Sequence, residues 1–168
     1  MSESADRERL TCWVRDFGDG LFRYLRFRVR DEHAAADLVQ EVFFRAWRKR
    51  FDYLHRGQDR AFLFTVADRL ACDHLRRLNR LAGLSDFDEP AAAVDPAAKL
   101  LHTETETAVK TAIERLSEAQ QRTLLLRFYG ELSFQQIAEA LDSPVGTVLS
   151  HCRRGLERLR ESLAGELT

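Results

Sequence analysis

Through most of the chain apolar residues recur three and four positions apart, the spacing of one face of a helix. Residues 4–17 place Leu10, Trp13, Val14 and Phe17 on one face. Gly18-Asp19-Gly20 interrupts that run. Leu21, Tyr24, Leu25 and Val29 then predict a second helix, with Arg23, Arg26, Arg28 and Arg30 around it. Asp31-Glu32 opens another helix, about 32–50, because carboxylates favour the N-terminal end of the helix dipole. Its apolar stripe is Leu38, Val39, Val42, Phe43, Ala46 and Trp47. Asp37, Gln40, Glu41, Phe44, Arg45 and Arg48 form the opposite face. Polar residues there are ordinarily just solvated, but an aromatic among them points to a partner surface.

Residues 51–60 read as a loop, and 61–81 as a long helix. Leu63, Val66, Ala67, Leu70, Ala71, Leu75 and Leu78 face inward, and Arg69, Asp73, Arg76, Arg77 and Arg80 lie outside that stripe. Residues 83–102 lose the periodicity and carry Pro90, Pro96 and four carboxylates, Asp86, Asp88, Glu89 and Asp95. A flexible acidic linker of that length has an r.m.s. span of roughly 25 Å. A helix resumes over 103–116. Ser117 with Gln120 forms a capping box that opens 118–129, and Gly130 is expected to end it.

The stretch 132–159 reads as two helices joined by a tight turn. Ser133 and Gln136 make a second capping box, and Phe134, Ile137, Ala138 and Leu141 follow at helical spacing. Asp142-Ser143-Pro144 breaks the pattern, with Ser143 suited to the N-cap and Pro144 to the first helical position. The next helix sets Val145, Val148, Cys152, Leu156 and Leu159 on one face. Thr147, Ser150, His151, Arg153, Arg154 and Arg158 occupy the others. Small Ala138 permits a close crossing at which Ile137 and Val148 can meet. This is the arrangement of a helix-turn-helix, although any helical hairpin shares the pattern.

Composition narrows the classes. The 168 residues allow one domain or two small ones, and 45% hydrophobic residues can bury a core. No apolar run approaches the roughly 18 residues of a membrane span, and residues 1–9 lack a signal-peptide core. Cys12, Cys72 and Cys152 are scattered without metal-ligand spacing, which suggests reduced core thiols in a cytosolic protein. Net charge is −1, but residues 1–80 hold 17 Lys and Arg against 13 Asp and Glu, and 81–112 hold 2 against 6. An acidic middle therefore separates two helical blocks. Twelve of the 16 aromatic residues fall between Trp13 and Phe64. Such a cluster can stack unpaired bases, although most of its members serve a core.

Three motifs in order resemble those of bacterial RNA polymerase sigma factors of the extracytoplasmic-function (ECF) class. The run Asp37-Leu38-Val39-Gln40-Glu41-Val42-Phe43 through Trp47 looks like the core-binding helix. Residues 62–67 and Asp73-His74-Leu75-Arg76-Arg77 resemble the promoter −10 helix. Pro144-Val145-Gly146-Thr147-Val148, then Ser150 and Arg154, resemble the −35 recognition helix. The resemblance covers nearly the whole chain and implies an all-α protein of two small helical domains. Domain two would span 1–82 and domain four 103–168, joined by the linker 83–102. It further implies a promoter-specificity subunit, not an enzyme, with no cofactor and no membrane insertion.

Carried over residue by residue, Asp37, Gln40, Glu41, Phe44 and Arg45 would meet the clamp helices of the largest polymerase subunit. Tyr53, Arg56, Arg69, Asp73, Arg76, Arg77 and Arg80 would meet the −10 DNA, with the loop 51–60 pocketing a flipped base. Thr147, Leu149, Ser150, His151, Arg153 and Arg154 would meet the −35 duplex. The flap of the second-largest subunit and an anti-sigma factor are further partners that the resemblance implies. The sequence departs from the family pattern at several places. Arg69 stands where Asn is usual and Phe62 where Trp is usual. Asp142 takes a turn position often given to Gly, and Leu149 and His151 replace two basic residues. A free-standing helix-turn-helix regulator is the other reading, but it would need a dimerisation element. An enzyme would need a clustered site, and His33, His55, His74, His102 and His151 are dispersed with no nucleophile or metal motif.

Overall fold

The helical periodicity becomes seven helices, with no strand among the described residues: α1 (Glu3–Val29), α2 (Glu32–Arg48), α3 (Asp59–Leu81), α4 (Glu104–Glu114), α5 (Glu118–Phe128), α6 (Phe134–Leu141) and α7 (Val145–Glu166). This computed structural model describes residues 3–49, 57–83 and 104–166. The chain divides into two compact units, Met1–Val94 and Asp95–Thr168. All of the expected linker except Gly83 lies outside the described residues.

In the first unit α1, α2 and α3 pack on one another. Trp13, Leu21, Tyr24, Leu25 and Val29 of α1 meet Ala35, Val42 and Ala46 of α2 and Leu63, Phe64, Ala67, Leu70 and Ala71 of α3, all buried. The Tyr24 and Phe64 rings meet edge to face at 5.7 Å. A polar group sits inside this core: the Tyr24 hydroxyl donates to Asp68 Oδ1 at 2.6 Å, and Arg28 Nε lies 3.8 Å from the same oxygen. Asp31 caps α2, its carboxylate accepting from the Ala34 N–H at 2.9 Å, after Arg30 turns the chain with φ 57°.

The expected break at Gly18-Asp19-Gly20 does not occur; α1 runs through it unbroken. The glycines cost about 1 kcal/mol each in a helix interior. Leu21, Tyr24 and Leu25 are fully buried, and each such side chain stabilises by roughly 1.5–3 kcal/mol. Burial wins because the apolar stripe keeps its phase across the interruption, at 13, 17, 21, 24 and 25. Two inward assignments also fail. Val14 is half exposed, and Leu78 is 43% exposed while Asn79 is the buried residue of that turn.

In the second unit α7 packs on α4, α5 and α6. Leu116, Leu124 and Cys152 form a buried cluster covered by Phe134 and Leu159. Both capping boxes are present, at Ser117/Gln120 and Ser133/Gln136. Gly130 does not supply the left-handed residue after α5; Glu131 does, with φ 52°, and Gly130 is buried. Asp142 ends α6 in the left-handed conformation at φ 50°, which Asp tolerates better than most residues. The Ser143 N–H then satisfies the Ala138 carbonyl at 2.9 Å. Ser143 is not the N-cap of α7: its hydroxyl donates back to the Leu141 carbonyl, and the first helical bonds go to the Pro144 carbonyl. Leu156, expected inward, is 40% exposed. The inward position next to it is Gly155, where a Cβ would stand 2.8 Å from Leu124 Cδ1. Backbone contact between α7 and α5 thus replaces the leucine contact.

Candidate nucleic-acid and partner interfaces

Three outward faces carry the residues singled out in the sequence. On α2, burial of Ala35, Val42 and Ala46 turns Asp37, Gln40, Phe44 and Arg45 outward, with Glu41 half-buried beside them. Glu41 is engaged within the face: Arg45 Nε donates to its Oε1 at 2.6 Å. Phe44 is 55% exposed, and the Arg48 guanidinium lies 5.8 Å from its ring centre. The basic residues of the last turn also suit the negative end of the helix dipole.

On α3, Arg69, Asp73, Arg76, Arg77 and Arg80 are all exposed. Arg76 Nη1 stands 3.6 Å from Asp73 Oδ1, a loose pair in solvent worth little to stability. Arg77 Nη2 lies 3.3 Å from His74 Nδ1. Burial holds the His74 imidazole below its ordinary range, the Arg77 charge adds to this, and Asp31 opposes it. The face therefore presents four arginines and one carboxylate. Tyr53 and Arg56 lie outside the described residues. The chain re-enters α3 through Gly57, at φ 65°, and Gln58.

On α7, Thr147, Ser150, His151 and Arg154 share one stripe at spacings of three, four and seven. Thr147 and Arg154 are exposed, and Ser150 and His151 are half-buried. Leu149 and Arg153 form a neighbouring stripe, with Leu149 45% exposed. Arg158 lies apart, donating to Gln120 Oε1 on α5 at 3.5 Å. The Cys152 thiol is pushed up by burial, more than Arg127 lowers it, and so stays protonated in the core. A 22-residue helix standing free along one stripe, preceded by a short helix and a left-handed turn, can enter a major groove about 12 Å wide.

Some supporting residues were not read from the sequence. Arg127 donates to the Leu132 carbonyl at 2.7 Å and covers the Phe134 ring at 4.9 Å, locking the entrance to α6. Trp13 donates from Nε1 to Asp59 Oδ2 at 2.9 Å. Neither pair has a sequence signature, since both join residues on different helices or turns. Gly155 had a weak one, a glycine inside a regular apolar stripe. Among the described residues no group of three or more His, Cys, Asp or Glu could hold a metal, and no helix is long and apolar enough to cross a membrane.

Comparison with known proteins matches residues 13–81 to Sigma-70 region 2 and residues 106–159 to Sigma-70, region 4. RNA polymerase sigma-H factor of Pseudomonas aeruginosa is 30% identical over 146 residues, 80% of this chain and 76% of the relative. ECF RNA polymerase sigma factor BldN of Streptomyces coelicolor is 29% identical over 152 residues, 88% of this chain but 57% of the relative. Sigma factor RpoE of Bartonella quintana, solved in complex with the anti-sigma factor NepR, shares the fold. Its TM-score is 0.77 at 23% identity, over 94% of this chain and 98% of that one.

Proposed function

The chain belongs to the ECF class of RNA polymerase sigma factors, and from that membership we propose how its surfaces divide the work of initiation. Sigma factors are initiation factors, not catalysts; this one acts by binding, in the cytoplasm, with no cofactor. Residues 1–82 serve as the polymerase- and −10-binding domain, 83–102 as the linker and 103–168 as the −35-binding domain. Asp37, Gln40, Glu41, Phe44 and Arg45 dock the clamp helices of the largest polymerase subunit. The second domain meets the flap of the second-largest subunit. An anti-sigma factor is a further partner, a reading supported by the NepR-bound relative.

On DNA, Tyr53, Arg56 and Asp73 read unpaired bases of the −10 element. Arg69, Arg76, Arg77 and Arg80 hold phosphates, which position the protein without carrying sequence information. Thr147, Leu149, Ser150, His151, Arg153 and Arg154 meet the −35 major groove. Arg154 suits a bidentate guanine contact, and Leu149 can touch only a thymine methyl or the apolar groove wall. The observation that carries the proposal is the face of α2: a half-exposed Phe44 and exposed Asp37 opposite a fully buried stripe, free of any duty to the core. The test is capture of core polymerase by the purified chain, followed by promoter-dependent transcription. Replacing Asp37 and Glu41 together by Arg is expected to weaken capture while leaving stability within about 0.5 kcal/mol, as surface changes do. Unaltered capture overturns the assignment of this face.

A further inference from the structure

At Gly155 the backbone of α7 lies directly against the Leu124 side chain of α5. This glycine is buried, and it stands well inside a 22-residue helix. A Cβ at that position would lie 2.8 Å from Leu124 Cδ1, 3.4 Å from Leu124 Cγ and 3.5 Å from Gln120 Cβ. Ordinary carbon–carbon contact is about 3.5–4 Å, so a side chain at 155 must open the crossing, or displace Leu124, by roughly 0.7 Å or more. Leu124 has little slack, because it is buried with Leu116 and Cys152 beneath Phe134 and Leu159. The same two helices meet again on either side of the glycine. Cys152 packs in that cluster three residues before it, and Arg158, three residues after it, donates from Nη1 to Gln120 Oε1 at 3.5 Å. Glycine is the poorest helix former after proline, so α7 gains nothing from it as a helix. What it permits is the close approach.

We infer that Gly155 is a positioning residue for −35 recognition, and that its contact with Leu124 sets the depth and roll at which α7 is presented to DNA. The inference rests on the proposal above that Thr147, Ser150, His151 and Arg154 meet the −35 duplex. Neither Gly155 nor Leu124 touches DNA, since both are buried. The unbroken helix from Val145 to Glu166 carries a displacement at 155 straight to Arg154, His151 and Ser150, all within about one and a half turns. Base reading tolerates little of it. An N–H···O bond is made at about 2.7–3.2 Å and is no longer a bond at about 3.6 Å. A shift of roughly 0.7 Å therefore suffices to break a bond to a base edge. Attraction of a guanidinium to a phosphate falls only as the inverse of distance and survives the same shift. Loss of the close approach is thus read as lost base selectivity with the salt dependence of binding kept.

The experiment uses the full chain with core polymerase and promoter fragments randomised across the −35 element. Arg154→Ala marks the base pair that Arg154 reads, as the one whose discrimination it removes. At that pair Gly155→Ala is expected to lower selectivity between the best and worst base about tenfold, the scale of one hydrogen bond to a charged group. The salt slope of promoter binding, selectivity at −10 and core capture should hold. Melting temperature should hold or rise, since alanine favours the helix. Leu124→Val takes away the δ carbons that the new Cβ meets, so Gly155→Ala combined with Leu124→Val should regain selectivity. Wild-type selectivity in Gly155→Ala, when Arg154→Ala loses it, overturns the inference and leaves the −35 assignment standing. Wild-type selectivity at every −35 position in Arg154→Ala, Ser150→Ala and His151→Ala as well overturns that assignment itself. A loss in Gly155→Ala matched by an equal fall in core capture or melting temperature, or one that Leu124→Val does not restore, overturns the positioning role.

Discussion

The start of α3 in the first unit and the starts of α5 and α6 in the second are made by different means. In the second unit α5 and α6 each start with a serine whose hydroxyl accepts from the N3 amide while the N3 glutamine reaches back. Those starts are written within four residues. In the first unit α3 has Gln58 at its N-cap with no side-chain cap, and its first residue, Asp59, is held by Trp13, 46 residues away in sequence. Locally capped helices keep their ends through their own sequence, whereas a helix start held across the fold depends on its neighbour. The −10 assignment falls on a helix with the second kind of start, and the −35 assignment on α7, which directly follows a helix with the first.

The comparison breaks most visibly at Trp13. Trp13→Ala should cost the first unit about 3–5 kcal/mol, as core tryptophan truncations do. Both tryptophans, Trp13 and Trp47, lie in this unit, so the fluorescence of Trp47 still reports its unfolding in the variant. The denaturation midpoint of Trp47 should fall sharply while the helicity of the second unit persists. A loss below about 1 kcal/mol would place this ring outside the structural core.

A smaller and more pointed contrast compares the caps themselves. Ser133→Ala removes the hydroxyl that accepts from the Gln136 amide, which is half of a capping box, at about 0.5–2 kcal/mol. Gln58→Ala removes no cap and should stay within about 0.5 kcal/mol. Thermal melts of the two variants decide it, and equal losses would erase the distinction. The same distinction explains what the sequence made legible. The two capping boxes, Asp31 and the left-handed Asp142 are short-range chemistry, readable from neighbours, and the helix-turn-helix followed from them. The unbroken α1, the inward Gly155 and the Trp13–Asp59 bond depend on what lies across the fold. There propensity is overruled by burial, and no spacing rule names the partner. The outward faces of α2, α3 and α7 were legible because a regular buried stripe fixes its opposite. Leu78 was misplaced near the end of α3 and Leu156 beside Gly155, while Val14, in the middle of α1 next to the buried Trp13, is half exposed and nothing in the structure explains it.

On α7 the contrast with α3 is one of charge. The α3 face offers four exposed arginines, whereas the α7 stripes offer Arg153 and Arg154 with Leu149, half exposed, between turns. Leu149→Arg should therefore raise affinity for a −35 duplex and steepen the log–log salt dependence by about 0.9, the share of one phosphate. Duplex binding across a salt series measures it. An unchanged slope and affinity would show that position 149 does not face DNA.

The smallest expected effect sharpens the picture of a first unit held by tertiary contacts, through His74. This residue sits on α3 with its Nε2 buried and without a hydrogen-bond partner, and its Nδ1 is 3.3 Å from Arg77 Nη2. For the Arg77 guanidinium to donate to Nδ1 the ring must be neutral with its proton on Nε2, an assignment made from geometry. Charging the ring would set an imidazolium against Arg77 in a half-buried site. Burial lowers the folded pKa first, Arg77 second, and Asp31, at the cap of α2, only partly offsets them. In the unfolded chain the group titrates near 6.5. Between the two pKa values the unfolded state binds more protons, so stability falls as pH drops below about 6.5 and is fully present above it. His74→Gln removes the titration while keeping a polar side chain of similar reach. The denaturation midpoint of the first unit, followed by tryptophan fluorescence, should then vary less between about pH 7.5 and pH 5.5 than in the wild type. Identical pH dependence in the two proteins would mean that His74 is as easily charged in the fold as out of it. The contact between His74 and Arg77 would then be looser than the 3.3 Å geometry requires.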